Sequence, residues 1–511
     1  MLYVVVCLLL GSSMQGQQTV AHAAPAHEPR AARNLSAIPI YTKSAEAREA
    51  LQRGVVKWEN HRMAEAVDDY RKAIQEDPNF AVAHLFLSTL TPNPEEQSSE
   101  LQKAVALRDS ARRSMNEDQQ LLITWLADTS QNQILPAIAA MNELLDRYPQ
   151  DKHLLYRAAI WFRNQRQIER AVHLYEQILQ LDPQFADALN QLGYIYAFQA
   201  ESDKAIATMN RYVAVLPHEP NPEDSYAEIL RMAGRYDGAI AHYRRAMEIE
   251  PSYWSSQEGI AGTYALMGDQ ERARAGYATA IQHAPSPATA LLWTMNSAVT
   301  WVREKEYAKA NAVLLDVARR AHDSNLAEAE STAYRNMALI EKDLAARQEL
   351  LDRADAALRH NHPLSKLTSE QQSALILRAR IYANLDAGDR AAASHVLDQL
   401  RSATAKTHNG FIQVVCHGAA GAVMVAQGEH EEAIGELLED DRNPFSLKFL
   451  VLAYQKTGDN EQATRWAARL ANVKNPTLEL ALVLASSQPG QAAKVIGRDD
   501  ATEIAGWRTD W

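Results

Sequence analysis

The chain has 511 residues, of which 47% are apolar and only 20 are glycine, a composition that excludes collagen-like and low-complexity proteins. Acidic residues outnumber basic ones by 64 to 52, and the formal net charge is −12. A chain with this balance lacks the broad positive field that attracts phosphate backbones, so we expect no nucleic-acid partner. With only Cys7 and Cys416, it cannot form a thiolate zinc cluster.

The first ten residues, MLYVVVCLLL, form an apolar run, and a polar stretch then leads to Ala21-His22-Ala23. This layout is typical of a cleaved secretory signal, here over residues 1–23, and the run is too short to span a bilayer. No positive charge precedes the run, and Val6 before Cys7 disfavours a lipid anchor. We expect a periplasmic or secreted protein. The alternative is a buried N-terminal helix in a cytoplasmic protein.

A proline recurs every 34 residues in the middle of the chain, at Pro149, Pro183, Pro217, Pro251 and Pro285. Twelve residues before each proline lies an alanine, and eight residues before it lies a methionine or a tyrosine. Apolar residues at helical spacing fill the stretches between these positions. Self-similarity at a fixed period of this length indicates a repeat architecture.

Each repeat is predicted to contain two antiparallel helices. Small residues let the two backbones approach, so that Gly193 of the first helix is expected to face Ala205 of the second. Gly234 and Gly268 are predicted to supply left-handed turns between helices, and each proline ends a second helix because it cannot donate the next backbone bond. Since no repeat covers its own apolar face, neighbouring repeats must stack.

These residues resemble the tetratricopeptide repeat family, whose pattern alternates small and bulky positions before a final proline. Three stretches carry the resemblance: Gly193, Tyr196, Ala205, Met209, Tyr212 and Pro217; Ala227, Leu230, Ala239, Tyr243, Ala246 and Pro251; and Gly54, Ala66, Tyr70, Ala73 and Pro78. The resemblance implies an all-α protein, an α-solenoid of stacked antiparallel helix pairs in a right-handed superhelix. About a dozen pairs are expected between residues 44 and 472.

The spacing of the repeat residues predicts the organisation of the chain. A disordered lead-in is expected after the signal, and the repeats are expected to lose regularity towards the C-terminus. The predicted segments are 24–43 (lead-in), 44–115 (N-terminal repeat-like units, one degenerate), 116–285 (five regular 34-residue units), 286–403 (degenerate helix pairs) and 404–511 (shortened units and a helical cap with Trp507 and Trp511).

Signatures of catalysis and metal binding are absent from the sequence. No phosphate-binding loop, serine-hydrolase elbow or zinc-protease motif occurs. His360-Asn361-His362 is predicted to end a helix, Cys416-His417 to pack in an apolar stretch, and the acidic residues 436–441 lack the ligand spacing of a calcium loop. We therefore expect no enzymatic activity, no cofactor and no metal.

A concave surface formed by the first helices is the predicted binding groove. Its mixture of aromatic rings and charges suits peptide recognition. The alternative is that rings such as Tyr194 and Phe198 only pack against neighbouring helices. The predicted groove residues are Tyr156, Arg163, Asn164, Asn190, Tyr194, Phe198, Asp224, Glu228, Arg231 and Glu258. Some family members hold a C-terminal carboxylate with a lysine here, but Tyr156 stands in its place.

The sequence therefore favours a non-enzymatic scaffold or adaptor that binds a protein or peptide partner, without a membrane-spanning segment. Two alternatives remain open. One is an exported protein that binds carbohydrates or nutrients. The other is an enzyme with its site in the irregular C-terminal half, where Trp293, His322, His360, His395 and His417 are concentrated. The sequence does not indicate an oligomeric state.

Overall fold

The computed structural model describes residues 38–59, 62–91, 93–111, 115–131, 133–359, 364–407 and 409–486. The predicted signal, the first part of the lead-in, residues 360–362, and Trp507 and Trp511 of the predicted cap lie outside the described residues. The described part contains 25 α-helices and no β-strand.

The helices fall into two compact units. The N-terminal unit, up to His218, contains α1 Ala45–Glu59, α2 Met63–Glu76, α3 Ala81–Leu90, α4 Pro94–Ser110, α5 Glu117–Ser130, α6 Ile134–Arg147, α7 Lys152–Asn164, α8 Ile168–Leu181, α9 Ala186–Phe198 and α10 Ser202–Val215. The first half of the C-terminal unit, from Glu219, contains α11 Pro220–Met232, α12 Tyr236–Ile249, α13 Trp254–Met267, α14 Gln270–Gln282, α15 Pro287–Arg303, α16 Tyr307–Asp323, α17 Ala327–Ile340 and α18 Leu344–Ala357. The second half contains α19 Lys366–Asp386, α20 Arg390–Thr404, α21 Gly410–Gln427, α22 His430–Glu439, α23 Pro444–Thr457, α24 Asn460–Ala471 and α25 Leu478–Ser486.

Helices α1 to α24 form twelve consecutive pairs, each made of an odd-numbered first helix and an even-numbered second helix. Within each unit, a pair packs on the next pair along the chain. The predicted fold class is confirmed: the protein is an all-α solenoid of stacked antiparallel helix pairs. Because every pair leaves an apolar face to its neighbour, the stacking itself forms the core.

The turns inside the pairs and the ends of the second helices follow the sequence pattern. Gly234 and Gly268 have φ angles of 73° and 91°, the left-handed conformation that was predicted for them. At the corresponding turns of two other pairs, Arg166 and Ala200 adopt a φ near 60° without being glycine. The five recurring prolines follow the ends of α6, α8, α10, α12 and α14 within two or three residues.

Close approach within a pair depends on a small residue opposite a bulky one. Ala205 is fully buried, as expected of a packing position. The atoms nearest to the place of a Gly193 Cβ, however, belong to Met209 and not to Ala205. Gly54 faces Tyr70 at the same sequence separation. The glycine thus makes room for the large side chain of Met209, which lies one helical turn beyond Ala205 on the second helix.

Residues 38–43, the last part of the predicted lead-in, belong to the folded N-terminal unit. Ile38 is buried, and Asn116 donates from Nδ2 to the carbonyl oxygen of Pro39 at 3.1 Å. Thr42 donates its hydroxyl to Asp77 Oδ2 at 2.5 Å. These contacts fix the chain entering α1 against α2 and α5.

Among the described residues, one helix is long and apolar enough to cross a membrane, namely α21. Most of its length is buried inside the protein, where Val415, Ala419 and Val423 pack in the core of the C-terminal unit. Core helices of folded domains pass the same test of length and composition, and the packing of α21 is that of such a helix.

Candidate functional site

All ten predicted groove residues lie on first helices, namely α7 and α9 in the N-terminal unit and α11 and α13 in the C-terminal unit. The chain positions these helices with local caps. The carboxylate of Asp151, for example, accepts from the backbone amides of His153 and Leu154 and so starts α7. The two units are described in turn.

In the N-terminal unit, Tyr156 lies in the interior and not on the surface. It is 3% exposed, its ring contacts Trp58, Tyr175 and Phe185 at centroid distances of 5.4 to 6.1 Å, and its hydroxyl donates to Asp187 Oδ2 at 2.8 Å. Burial raises the pKa of the Tyr156 hydroxyl well above its usual value, so that the group stays a neutral donor. Tyr156 thus joins α7 to α9.

The C-terminal ends of α7 and α9 carry the groove residues that reach solvent. Arg163 is half-buried and donates from Nη1 to Gln191 of α9, and from Nη2 to Asn164 Oδ1 at 3.2 Å. Asn164 is exposed. On α9, the half-buried Phe198 stacks at a centroid distance of 6.5 Å on Tyr194, which is only 5% exposed and, contrary to its predicted place in the groove, belongs to the core. Asn164 and Phe198 hold equivalent positions, since they are 34 residues apart in the sequence.

Asn190, the remaining groove residue of the N-terminal unit, has no exposed surface. It lies in the middle of α9, between the buried Leu189 and Gln191. The amide is therefore part of the helix packing, as Tyr156 is.

In the C-terminal unit, Asp224 of α11 is a buried carboxyl group. Ser256 of α13 donates its hydroxyl to Asp224 Oδ1 at 2.5 Å, and only 2% of Asp224 is exposed. Burial raises the pKa of Asp224 to about 6, because a carboxylate loses its hydration there. The carboxyl group therefore titrates close to neutral pH.

Glu228 and Arg231 form a buried ion pair one helical turn apart on α11. Arg231 Nη2 donates to Glu228 Oε1 at 2.9 Å, and each residue is 3% exposed. On α13, Glu258 accepts from Asn296 Nδ2 of α15 at 3.0 Å, and burial raises the pKa of Glu258 above its usual value. The charged side chains that were predicted to bind a peptide in the C-terminal unit are thus already ion-paired or hydrogen-bonded to neighbouring side chains.

Four of these hydrogen bonds have the same structural role, and we call them the inter-repeat bonds. They are Tyr156–Asp187, Arg163–Gln191, Ser256–Asp224 and Asn296–Glu258. Each connects a first helix to the first helix of the next pair within its unit. Buried polar groups must be hydrogen-bonded to offset the loss of water, and here the partners come from neighbouring repeats.

The sequence analysis did not identify the position of α25. This apolar helix follows the last pair and packs against the first helices α15, α17 and α23, all in the C-terminal unit. Glu479 in its first turn forms an ion pair with Arg378 of α19, with Nη2 and Oε1 3.5 Å apart. Arg378 Nη1 lies 3.5 Å from Asp440 Oδ2. The only sequence signal was an apolar run, residues 478–485, interrupted by one glutamate.

The histidines considered for an enzyme do not assemble into a site within the described residues. His322 pairs with Glu330, His395 with Gln399, and His417 with Glu436, each on its own or an adjacent helix. Burial raises the pKa of the Cys416 thiol, which disfavours the nucleophilic thiolate. In the described part of the chain, no three metal-ligating side chains are grouped closely enough to hold an ion.

Comparison with known proteins gives the following likenesses. A family model described as tetratricopeptide repeat matches residues 162–228. No curated protein matches the chain significantly. Among solved structures, a tetratricopeptide repeat protein from Parabacteroides merdae is 15% identical, with a TM-score of 0.34, over 61% of this chain and 99% of that one. The tetratricopeptide repeat protein YrrB, described as having an unusual peptide-binding site, is 18% identical, with a TM-score of 0.26, over 36% and 93%.

A third solved structure, a thermophilic protein of the same repeat class in Thermus thermophilus, is 19% identical, with a TM-score of 0.28, over 42% of this chain and 98% of that one. The residues matched by the family model run from the end of α7 into α11. The recurring prolines extend the same register to both sides of this stretch, from Pro149 to Pro285. The chain therefore contains tetratricopeptide repeats over residues 162–228, and helix pairs stack throughout both units.

Proposed function

We propose that the protein is a non-enzymatic scaffold or adaptor that binds a protein or peptide partner on the first-helix surface of its N-terminal unit. Tetratricopeptide repeats generally serve as interaction scaffolds, and the family match begins at this surface, at residue 162. The observation that carries the proposal is that Arg163, bonded to Gln191 of α9, and the exposed Asn164 lie at the end of α7, while the stacked rings of Tyr194 and Phe198 lie at the end of α9, the next first helix. Arginine and aromatic side chains dominate protein interfaces.

The arrangement is pre-organised. Arg163 is held by Gln191 of the next first helix, and Phe198 is held by its stacking on Tyr194. Binding would therefore order few side chains, which lowers its entropic cost. Tyr156 and Arg231 are unsuitable as binding probes, because both are buried and their removal would disturb the fold.

Site-specific photocrosslinking tests the proposal. A photoreactive amino acid is placed at position 164 on α7 or, as the control, at the exposed position 169 on the second helix α8. We expect a crosslinked partner from position 164 only, with mass spectrometry identifying it. Replacing Asn164 and Phe198 together by alanine should weaken binding of that partner at least about 10-fold, while the helical circular dichroism spectrum at the assay temperature stays that of the wild type. Equal crosslinking from both positions, or none from position 164, would contradict the proposal.

We also propose that the protein is exported. The support is the apolar run of residues 1–10 and the Ala21-His22-Ala23 site in the sequence. Cell fractionation and N-terminal sequencing of the native protein test this. We expect a chain that begins at Ala24 in the periplasmic or secreted fraction, whereas a cytoplasmic chain that retains residues 1–23 would contradict export.

A further inference from the structure

Arg303, the last residue of α15, is a cation without a carboxylate partner in the described part of the chain. Its Nε is buried and makes no hydrogen bond to a described residue. Burial lowers the pKa of Arg303, and the groups that favour its charged form are Tyr236 and Tyr277, which are not carboxylates. Since a guanidinium stays protonated in proteins, Arg303 carries a charge that these surroundings do not balance.

Four other arginines of the C-terminal unit reach into its interior, and each of them lies near carboxylates. They are Arg231 with Glu228 at 2.9 Å, Arg347 with Asp386 at 2.6 Å, Arg378 with Asp440 and Glu479 at 3.5 Å each, and Arg335 beside Glu479 and Glu328. A charge removed from water needs such a partner, because the loss of hydration is otherwise too costly. Arg303 departs from this pattern, which points to a partner other than the side chains of the described residues.

Lys474 is a second cation close to Arg303. It lies in the connection between α24 and α25, which we call the 472–477 connection. Burial and the charge of Arg303 lower the pKa of Lys474. Its Nζ donates to the carbonyl oxygen of Ala471 at 2.8 Å, a neutral acceptor that does not balance the charge. Two cations therefore lie side by side although they repel each other, and an anion bound by both would remove the repulsion.

The acidic groups near this cluster belong to a different cation. Glu228 forms its ion pair with Arg231, and Glu258 also acts on Arg231 electrostatically. Burial raises the pKa of Glu258, which lessens its negative charge. Neither glutamate acts on Arg303 or Lys474. The excess of positive charge is therefore confined to these last two residues.

The 472–477 connection covers a buried hydroxyl group next to Arg303. Pro476 Cγ and Tyr277 Oη lie 3.1 and 3.3 Å from the place where a Cβ at Gly262 of α13 would stand. Tyr277 is fully buried, and its hydroxyl has no hydrogen-bond partner among the described residues. Burial raises the pKa of Tyr277 well above its usual value, so the hydroxyl stays a neutral donor. Because Pro476 packs so closely on α13, no further polypeptide fits between the connection and this helix.

We propose that Arg303, Lys474 and Tyr277 form a binding site for a small oxyanion in the C-terminal unit. A guanidinium, an ammonium and a hydroxyl are the donors that phosphate and carboxylate oxygens accept from, and the two charged donors make the stronger bonds. The bound anion would join α15 to the 472–477 connection. The site is separate from the surface of α7 and α9, so a failure of either to bind its ligand leaves the other untouched.

Titration calorimetry of the full chain with inorganic phosphate tests the site, with the ionic strength held constant by sodium chloride. We expect saturable binding of one phosphate. Arg303→Gln and Lys474→Gln should each weaken it at least about 10-fold, because each removes a charged donor. Arg319→Gln, at an exposed position on α16, is the matched control and should bind like the wild type. No saturable binding by the wild type, or equal binding by all four chains, would overturn the proposal.

Amine labelling of the unmodified chain gives a readout that does not depend on how the variants fold. Bound phosphate covers Lys474 and favours its protonated form, so an amine-reactive ester should label it at least about 5-fold more slowly. The exposed Lys456 at the end of α23 is the control and should react at an unchanged rate. Slowing by acetate and not by phosphate would support the site and identify its ligand as a carboxylate. If chloride slows the labelling of Lys474 as much as both oxyanions do, or if none of them does, the inference is wrong.

Discussion

Gly54 of α1 lies directly against the ring of Tyr70 in α2, with Tyr70 Cδ1 2.6 Å from the place where a Cβ at position 54 would stand. The aromatic ring is rigid and 2% exposed, so it cannot move aside. We expect Gly54→Ala to destabilise the protein by about 1–2 kcal/mol, because overpacking outweighs the better helix propensity of alanine. Urea unfolding followed by circular dichroism measures this.

Substitutions at two other glycines provide a comparison for the effect of Gly54→Ala on stability. Gly193→Ala should cost less than Gly54→Ala, since the obstacle is the flexible end of the Met209 side chain. Gly435 in α22 has no atom within 4 Å of its Cβ position, so Gly435→Ala should stabilise by about 0.5–1 kcal/mol. If all three substitutions change the free energy of unfolding by the same amount, helix propensity alone determines their effect on stability.

Ala205 tests the packing of the second helices. It has no exposed surface, and Ala205→Glu would bury an unpaired charge between helices. We expect a loss of about 3 kcal/mol or more. The matched control is Ala207→Glu, two residues along the same helix at an exposed position, which should change stability by less than about 0.5 kcal/mol. Comparable losses in thermal unfolding for both variants would contradict the assigned register.

Much of this packing could be predicted from the sequence because it repeats. The proline spacing located the ends of five second helices, and the alanine twelve residues before each proline identified a buried position such as Ala205. The contact between Gly193 and Met209 was not predicted. A repeat pattern shows which positions are small and which are bulky, but the pairing across two helices depends on their relative rotation, which the pattern does not contain.

The left-handed turn at Ala200 is a position where we predict a stabilising substitution. Ala200 has a φ of 62°, a conformation in which a Cβ is crowded and glycine is not. We expect Ala200→Gly to stabilise by about 0.5–1 kcal/mol, whereas Ala207→Gly on the exposed face of α10 should destabilise by about 1 kcal/mol. Thermal unfolding checks both. A loss of stability in both variants would mean that the turn at residue 200 is not strained.

The buried carboxyl group of Asp224 should make the stability of the protein depend on pH. Its pKa is about 6 in the folded protein against 3.8 for a free side chain, because burial disfavours the carboxylate. The folded state therefore binds more protons than the unfolded state between these values. The contribution of Asp224 to stability is largest below pH 3.8 and falls as the pH rises through 6. With about 1.4 kcal/mol per pKa unit, ionised Asp224 costs the fold on the order of 3 kcal/mol at neutral pH.

Asp224→Asn removes this titration and keeps an oxygen that accepts from Ser256. The variant should be more stable than the wild type at pH 7.5, and the difference should shrink or reverse at pH 4.5. Asp237→Asn, at an exposed position on α12 in the same unit, is the control and should leave the pH dependence unchanged. Melting temperatures at the two pH values measure both variants, and parallel curves for Asp224→Asn and the wild type would contradict the prediction.

The sequence predicted the candidate binding surface less completely than it predicted the fold. The helical register correctly placed all ten groove residues on first helices, yet it could not show that Tyr156 and Asp224 bond to the next repeat. Such bonds depend on side-chain reach between helices. The docking of α25 had no signal in the repeat pattern either, because residues 478–486 lie outside the register that relates the other helices to one another. The role of the groove residues in binding stays a prediction.

The position of α25 has a consequence for how the C-terminal unit folds during synthesis. Contacts between consecutive pairs are local in the sequence, so each pair can form as soon as it leaves the ribosome. The contacts of α25 with α15 and α17 are the exceptions, because the helices from α18 to α24 are made between α17 and α25. The surface of α15 that α25 finally covers therefore stays exposed throughout that interval.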